Sequence, residues 1–322
     1  MTASPLTFGM FMPQGWKMEL ATIEGAESKW LKAVEIAKLA EELGYDSLWV
    51  YDHVHNVPRP ANEAVFECWT TIAAISQLTS RIKLGQMVGC CSYRNPALLA
   101  KITSTVDVVS GGRLNWGIGA GWYENEYRSY GYEFPKPAQR IRMLEETVEI
   151  VKRMWTEPTA TFKGEHFEVN RAYCDPKPLQ QPHPPVLIGG GGEQLTLRVV
   201  AKHANCSNFG GNPEQFAHKV EVLKSHCASV GRDFDEIQLT WSPEVFIRPT
   251  EDDVSSSGSR SQWGEPGESW RAGNLVGTPE QVSEKLQAYV DLGLAGVMPW
   301  CSDYPDTTTM ELLARDVMPN FR

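Results

Sequence analysis

Two textures alternate along this chain. Short, near-continuous apolar runs of strand length are each followed by a longer segment in which apolar residues recur every three or four positions. Strands are predicted at Thr7–Met12, Ser47–Tyr51, Ile82–Val88, Leu114–Gly119, Val186–Gly189, Cys206–Phe209, Ile237–Ile247 and Gly296–Trp300. Helices are predicted over about 28–43, 63–78, 96–109, 138–155, 193–203, 213–230, 279–292 and 307–318. The first helix shows the pattern: Leu31, Val34, Ala37, Ala40 and Leu43 share a stripe, while Lys32, Glu35, Lys38 and Glu42 lie off it. Gly44 follows it as a C-terminal stop, and Thr278-Pro279-Glu280 opens the seventh helix with an N-cap and a Pro at N1.

Apolar strands without alternation are the mark of a parallel sheet covered by helices on its faces. Eight strand–helix units in 322 residues predict the α/β class and, within it, a (β/α)8 TIM barrel. An open doubly wound sheet usually has fewer units and a glycine-rich turn after its first strand, whereas here that strand runs into Phe11-Met12-Pro13-Gln14. A single domain is expected across 1–322, with insertion segments at about 157–185 and 249–277. Those two segments and Pro13–Glu27 are too long for simple connections. Pro13–Glu27 and 249–277 follow strands, so they belong at the C-terminal face, where long loops serve as lids. A surface insertion is the other reading of 249–277.

Composition narrows the partners. The net charge of −10 offers no basic field for nucleic acid or an anionic membrane. No run of eighteen apolar residues is present to span a bilayer, and Met1–Leu6 has no leader pattern. The seven cysteines contain no C-x-x-C, which fits reduced thiols in the cytoplasm better than a disulfide framework or a zinc site.

In a barrel of this kind the chemistry gathers at the C-terminal strand ends. There the chain places Asp52-His53-Val54-His55, Gly119-Ala120-Gly121-Trp122 and Gly189-Gly190-Gly191-Gly192. Four glycines between a strand and a helix let the backbone approach a ligand, with N–H groups free to cradle a phosphate; a tight turn needs fewer. By position alone His53 has three readings: a proton donor or acceptor, a metal ligand, or a structural histidine. Strands five and six end without histidine, which weighs against a metal-dependent hydrolase. His166, His183, His203, His218 and His226 fall on helices or in an insertion and read as structural or exposed. Trp49, Trp69 and Trp155 read as core, whereas Trp16, Trp122 and Trp300 sit at strand ends or loops and are placed to wall a pocket, with Gln14 beside them.

In order along the chain, Ser47-Leu48-Trp49-Val50-Tyr51-Asp52-His53, Tyr93-Arg94-Asn95-Pro96, Gly111-Gly112-Arg113-Leu114, Gly117-Ile118-Gly119-Ala120-Gly121-Trp122 and Pro184-Pro185-Val186-Leu187-Ile188-Gly189-Gly190 resemble the luciferase-like monooxygenase superfamily. Within it the likeness is to oxidoreductases that use coenzyme F420, a deazaflavin. The resemblance implies a ring across the barrel mouth, flanked by Asp52, Met87, Val88, Ala120 and Gly121, with Met87-Val88 as a non-proline cis peptide. It implies phosphate binding by Gly190, Gly191 and Gly192, His53 acting on the substrate or steadying the ring, and a homodimer. One departure stands out: Trp122 occupies the position of the glutamate proton donor of the sugar-phosphate dehydrogenases, and Glu124 and Glu126 do not match it. That acid and that activity are therefore not carried over, and Trp122 reads as a wall for an apolar or aromatic substrate.

The expected function is hydride transfer between the deazaflavin and a small organic substrate, with His53 as proton donor or acceptor. The alternative is a monooxygenase using reduced FMN and oxygen. From other classes, a non-catalytic flavin-binding protein and a metal-dependent barrel hydrolase complete the set.

Overall fold

The computed structural model describes residues 5–322 except 259, 260, 262 and 266. Four residues of the N-terminal stretch read above as leaderless, Met1–Ser4, lie outside the described residues, as do those four positions of the 249–277 insertion.

Eight parallel strands close on themselves: Thr7–Phe11, Ser47–Val50, Lys83–Gln86, Leu114–Gly119, Val186–Gly189, Cys206–Asn208, Gln238–Trp241 and Leu294–Val297. Each pairs with the next in chain order, as in Leu48 with Leu84, Leu84 with Leu114 and Leu187 with Cys206. Thr7 beside Gly296 joins the last strand to the first. Large residues fill the wall because glycines make room for them. A Cβ on Gly85 would lie 2.6 Å from the Trp49 ring, whose Nε1 donates to Ser47 Oγ at 2.8 Å. Phe8, Met10, Trp49, Trp116 and Trp155 are all buried. An apolar side chain removed from water this fully contributes about 1.5–3 kcal/mol. Arg113 ties the barrel's outer layer together: its guanidinium donates to the carbonyls of Ser76, Thr79, Ile82 and Ser110.

Four expectations change, the first being that the eighth strand, expected over Gly296–Trp300, runs Leu294–Val297 and leaves Trp300–Cys301 to an outer sheet. The seventh strand, expected over Ile237–Ile247, breaks at Ser242-Pro243, because Pro243 has no N–H to give a ladder. Gln238–Trp241 stays in the barrel. Glu244–Ile247 joins a small outer sheet with Leu275–Gly277 and Trp300–Cys301. The third strand stops at Gln86, before a cis Met87–Val88 peptide, and Gly89–Cys90 then pairs with Ile118 and Gly119. The second helix starts at Cys68 rather than near 63, capped by Glu67, whose side chain accepts from Thr70 N.

Both insertions are structured. The first carries an antiparallel hairpin, Ala160–Lys163 with Glu168–Ala172. The second carries helices Glu251–Ser256 and Gly267–Gly273, anchored by Trp270 packing with Phe246, Val254 and Val276. An unpredicted helix, Glu124–Ser129, follows the fourth barrel strand. Among the described residues no helix is long and apolar enough to cross a membrane.

Candidate functional site

The C-terminal strand ends surround a cavity of about 730 Å³, inside the roughly 300–1,000 Å³ range of small-molecule sites. Part of its lining is almost bare of side chains: Gly119, Ala120, Gly121, Gly189 and Gly190, set around Val88. The bareness is enforced. At Gly121, with φ +74°, a Cβ would sit 2.1 Å from Tyr127 Oη and 2.7 Å from Cys90 Sγ. Gly119 and Gly189 leave space for Val88, whose methyl carbons would lie 2.6 and 2.8 Å from any Cβ added there. Another part of the lining is aromatic: Trp16, Tyr51, Trp122, Trp263 and Trp300. Trp263 comes from the second insertion and meets Trp16 at 6.0 Å and Trp122 at 6.2 Å between ring centroids. The insertion thus reaches over the mouth as a lid would.

His53 lines this cavity and is firmly held. Its Nδ1 lies 2.6 Å from Glu126 Oε2, and its ring stacks on Trp16 at 4.1 Å and 3°. Glu126 is fully buried at the start of the Glu124–Ser129 helix. Its Oε1 accepts from the main-chain N–H groups of Val54 and His55 at 2.8 and 2.9 Å, and Oε2 also accepts from Tyr93 Oη at 3.0 Å. Burial alone would raise its pKa. The bonds from His53, His55 and Val54 outweigh that and hold the carboxyl below its ordinary range. An ionised Glu126 is an acceptor, so Nδ1 carries the proton toward it and Nε2 is left for the cavity.

Asp52 is equally constrained. Arg94 grips its carboxylate with two bonds of 2.6 and 2.9 Å, and Cys90 N donates to it at 2.9 Å. Although burial opposes the charge on Arg94, Asp52 raises the guanidinium pKa overall. Cys90 also lines the cavity, but burial pushes its thiol up to about 12, so it is not a nucleophile at neutral pH.

The structure brings together most residues expected from sequence. Asp52, His53, Met87, Val88, Ala120, Gly121, Gly190, Trp16, Trp122 and Trp300 all line one cavity. Gln14 does not. Its amide is spent on main chain, donating to Tyr51 O and Phe66 O and accepting from Tyr51 N, which pins the loop after the first strand to the second. Gly191 and Gly192 also lie off the lining; a Cβ on Gly191 would stand 2.9 Å from Lys219 Cε. Lys17 and Glu244 went unread in sequence, while Arg94 was named only within a strand-end motif and Glu126 only as failing to match an acid, neither with the role it has here. Their partners are distant in the chain, and no local periodicity marks them. Among the described residues, no group of three or more His, Cys, Asp or Glu is placed to hold a metal ion.

Comparison with known proteins agrees with this geometry. A glucose-6-phosphate dehydrogenase of Segniliparus rotundus described as F420-dependent is 26% identical over 321 residues, covering 90% of this chain and 93% of the relative. A Pseudomonas putida dimethylsulfone monooxygenase described as FMNH2-dependent is 26% identical over 268 residues, covering 71% of each. The solved structure of an F420-dependent secondary alcohol dehydrogenase, bound to an F420–acetone adduct, superposes with a TM-score of 0.82 at 20% identity, covering 99% of this chain and 100% of that one. The profile of the luciferase-like monooxygenases matches residues 6–264, and the chain belongs to that family.

Proposed function

We propose that this protein is an oxidoreductase that binds coenzyme F420 at the barrel mouth and moves hydride between that deazaflavin and a small organic substrate. The observation that carries the reading is the bare main-chain edge at Gly119, Ala120 and Gly121 lying in the same cavity as His53 of the His53–Glu126 pair. Tyr127 and Cys90 exclude a side chain at Gly121, so the backbone itself forms the wall a flat ring would lie against. Met87, Val88, Ala120 and Gly121 would hold the ring. Gly190 and Thr196, with Gly191, Gly192 and Lys219 behind them, would hold a phosphate at the head of the Thr196–His203 helix. The names of the Segniliparus relative and of the alcohol dehydrogenase structure support the choice of cofactor.

When bound, the deazaflavin supplies the hydride donor or acceptor. The chain supplies the rest. Glu126 fixes the His53 tautomer, Trp16 fixes the ring plane, and His53 Nε2 holds or takes the proton at the substrate oxygen. Trp263 and Trp122 stand at the mouth with their rings 6.2 Å apart and would narrow it around a bound substrate. With Trp122 in place of an acid, proton transfer falls to His53. In this reading the protein works in the cytoplasm as a homodimer, which light scattering at twice the chain mass would check.

Similarity to the FMNH2-dependent monooxygenase favours a second reading, oxygen insertion with reduced FMN. Anaerobic mixing with oxidised F420 and a panel of secondary alcohols separates the two. Bleaching of the deazaflavin absorbance supports the proposal. Oxygen uptake that depends on reduced FMN in a parallel aerobic assay, with no bleaching of F420 in the anaerobic one, contradicts it.

A further inference from the structure

Lys17 and Glu244 form a second polar centre in the same cavity. Both are buried, and both line it. The Lys17 ammonium lies 4.0 Å from the centroid of Trp300 and 5.7 Å from those of Trp16 and Trp263. Aromatic faces steady a cation but give it no acceptor lone pair. Its ion partner, Glu244 Oε1, stands 3.7 Å away, too far for a good hydrogen bond. The other oxygen, Oε2, is used, accepting from Trp270 Nε1 at 2.6 Å and Ser302 Oγ at 3.4 Å. Oε1 is buried with no hydrogen-bond partner among the described residues. A buried carboxylate oxygen left in that state costs free energy unless something fills the gap.

The electrostatics restrict what fills it. Burial lowers the Lys17 pKa, and the charges of Glu244 and Glu19 act against that shift. Two carboxylates around one ammonium leave no net positive field. A phosphate or carboxylate group is therefore poorly matched, in contrast to a sugar-phosphate substrate. A neutral group with an acceptor beside a donor matches well: Lys17 donates to the acceptor and Glu244 Oε1 accepts from the donor.

We propose that Lys17 and Glu244 form the substrate-recognition subsite, and that it takes an uncharged aromatic molecule bearing adjacent hydrogen-bond acceptor and donor groups, of which a carboxamide is the simplest. The aromatic body would pack against Trp263, whose ring lines the cavity and stays 43% exposed. The proposal rests on the reading of this cavity as a substrate site, but its test does not depend on the cofactor.

Tryptophan-fluorescence titration of cofactor-free protein with benzamide and with benzoate decides it. Benzamide is expected to bind at least about tenfold more tightly than benzoate, the ~1.4 kcal/mol of one well-made hydrogen bond. Lys17→Met and Glu244→Gln each fill the volume they replace, and Glu244→Gln keeps an acceptor for Trp270. Each is expected to weaken benzamide about tenfold, while F420 affinity stays within about twofold of wild type. Benzoate binding as tightly as benzamide, or benzamide affinity unchanged in both variants, would overturn the subsite. Failure of wild type to bind F420 would instead overturn the cofactor reading and leave the benzamide comparison standing.

Discussion

At His53 one carboxylate and one indole fix every degree of freedom that matters. Glu126 holds Nδ1 at 2.6 Å, Trp16 covers the ring face, and Nε2 remains for the cavity. Replacing His53 with Ala should lower turnover about 10²–10⁴-fold, the usual contribution of a general acid or base, while F420 affinity changes by less than about tenfold. Unchanged turnover would make the residue structural. Glu126→Gln should destabilise the fold by about 2–4 kcal/mol in urea unfolding, because a charge-assisted acceptor is lost and a buried N–H is left unpaired. The pH dependence has a definite sign. Glu126 has a depressed folded-state pKa, so its contribution is complete above the unfolded value of about 4.3 and is lost as pH falls through the lower folded value. The stability gap between wild type and Glu126→Gln should therefore stay level from pH 5 to 8 and shrink only below about pH 4. At this scale the sequence was half legible. Asp52 and His53 stood out because they end a strand in a recognisable order. Glu126 was passed over although it was in view, because its partner lies 73 residues away. Gln14 looked like a pocket residue, but the main chain of Tyr51 and Phe66 claims its amide.

Elements carry the site through close approach of backbones. The third and fourth barrel strands meet so tightly near the cis Met87–Val88 peptide that a Cβ on Gly117 would fall 1.9 Å from Gln86 O. Backbone cannot yield as a flexible side chain can. Gly117→Ala is thus expected to cost more than the roughly 1–3 kcal/mol typical of overpacking, read as loss of soluble protein or a large drop in the urea midpoint. An alanine variant with wild-type stability would show that these strands have slack. Strand and helix positions were readable because apolar runs and stripes report burial directly. The break at Ser242-Pro243 was read through although Pro243 marks it, since Ile237, Leu239 and Trp241 are followed by the apolar Val245–Ile247 and periodicity cannot tell a barrel strand from an outer one. The Glu124–Ser129 helix is too short to show a period, yet it carries Glu126.

For the whole molecule, the pairing of Thr7 with Gly296 turns eight separate strand ends into one rim. Residues as far apart as Lys17, His53, Gly121, Gly190, Glu244 and Trp300 then face a single cavity. The count of strand–helix units was enough to expect that rim. It was not enough to choose between lid and surface loop for the 249–277 insertion, from which Trp263 reaches Trp16 and Trp122 at the mouth. A deazaflavin seated on this rim is what the proposed activity requires. Fluorescence titration of purified protein with F420 and, separately, with FMN tests it most directly. Saturable F420 binding is expected at micromolar concentration or below, about −8 kcal/mol, with FMN at least about tenfold weaker. Tight FMN binding with no response to F420 would contradict it.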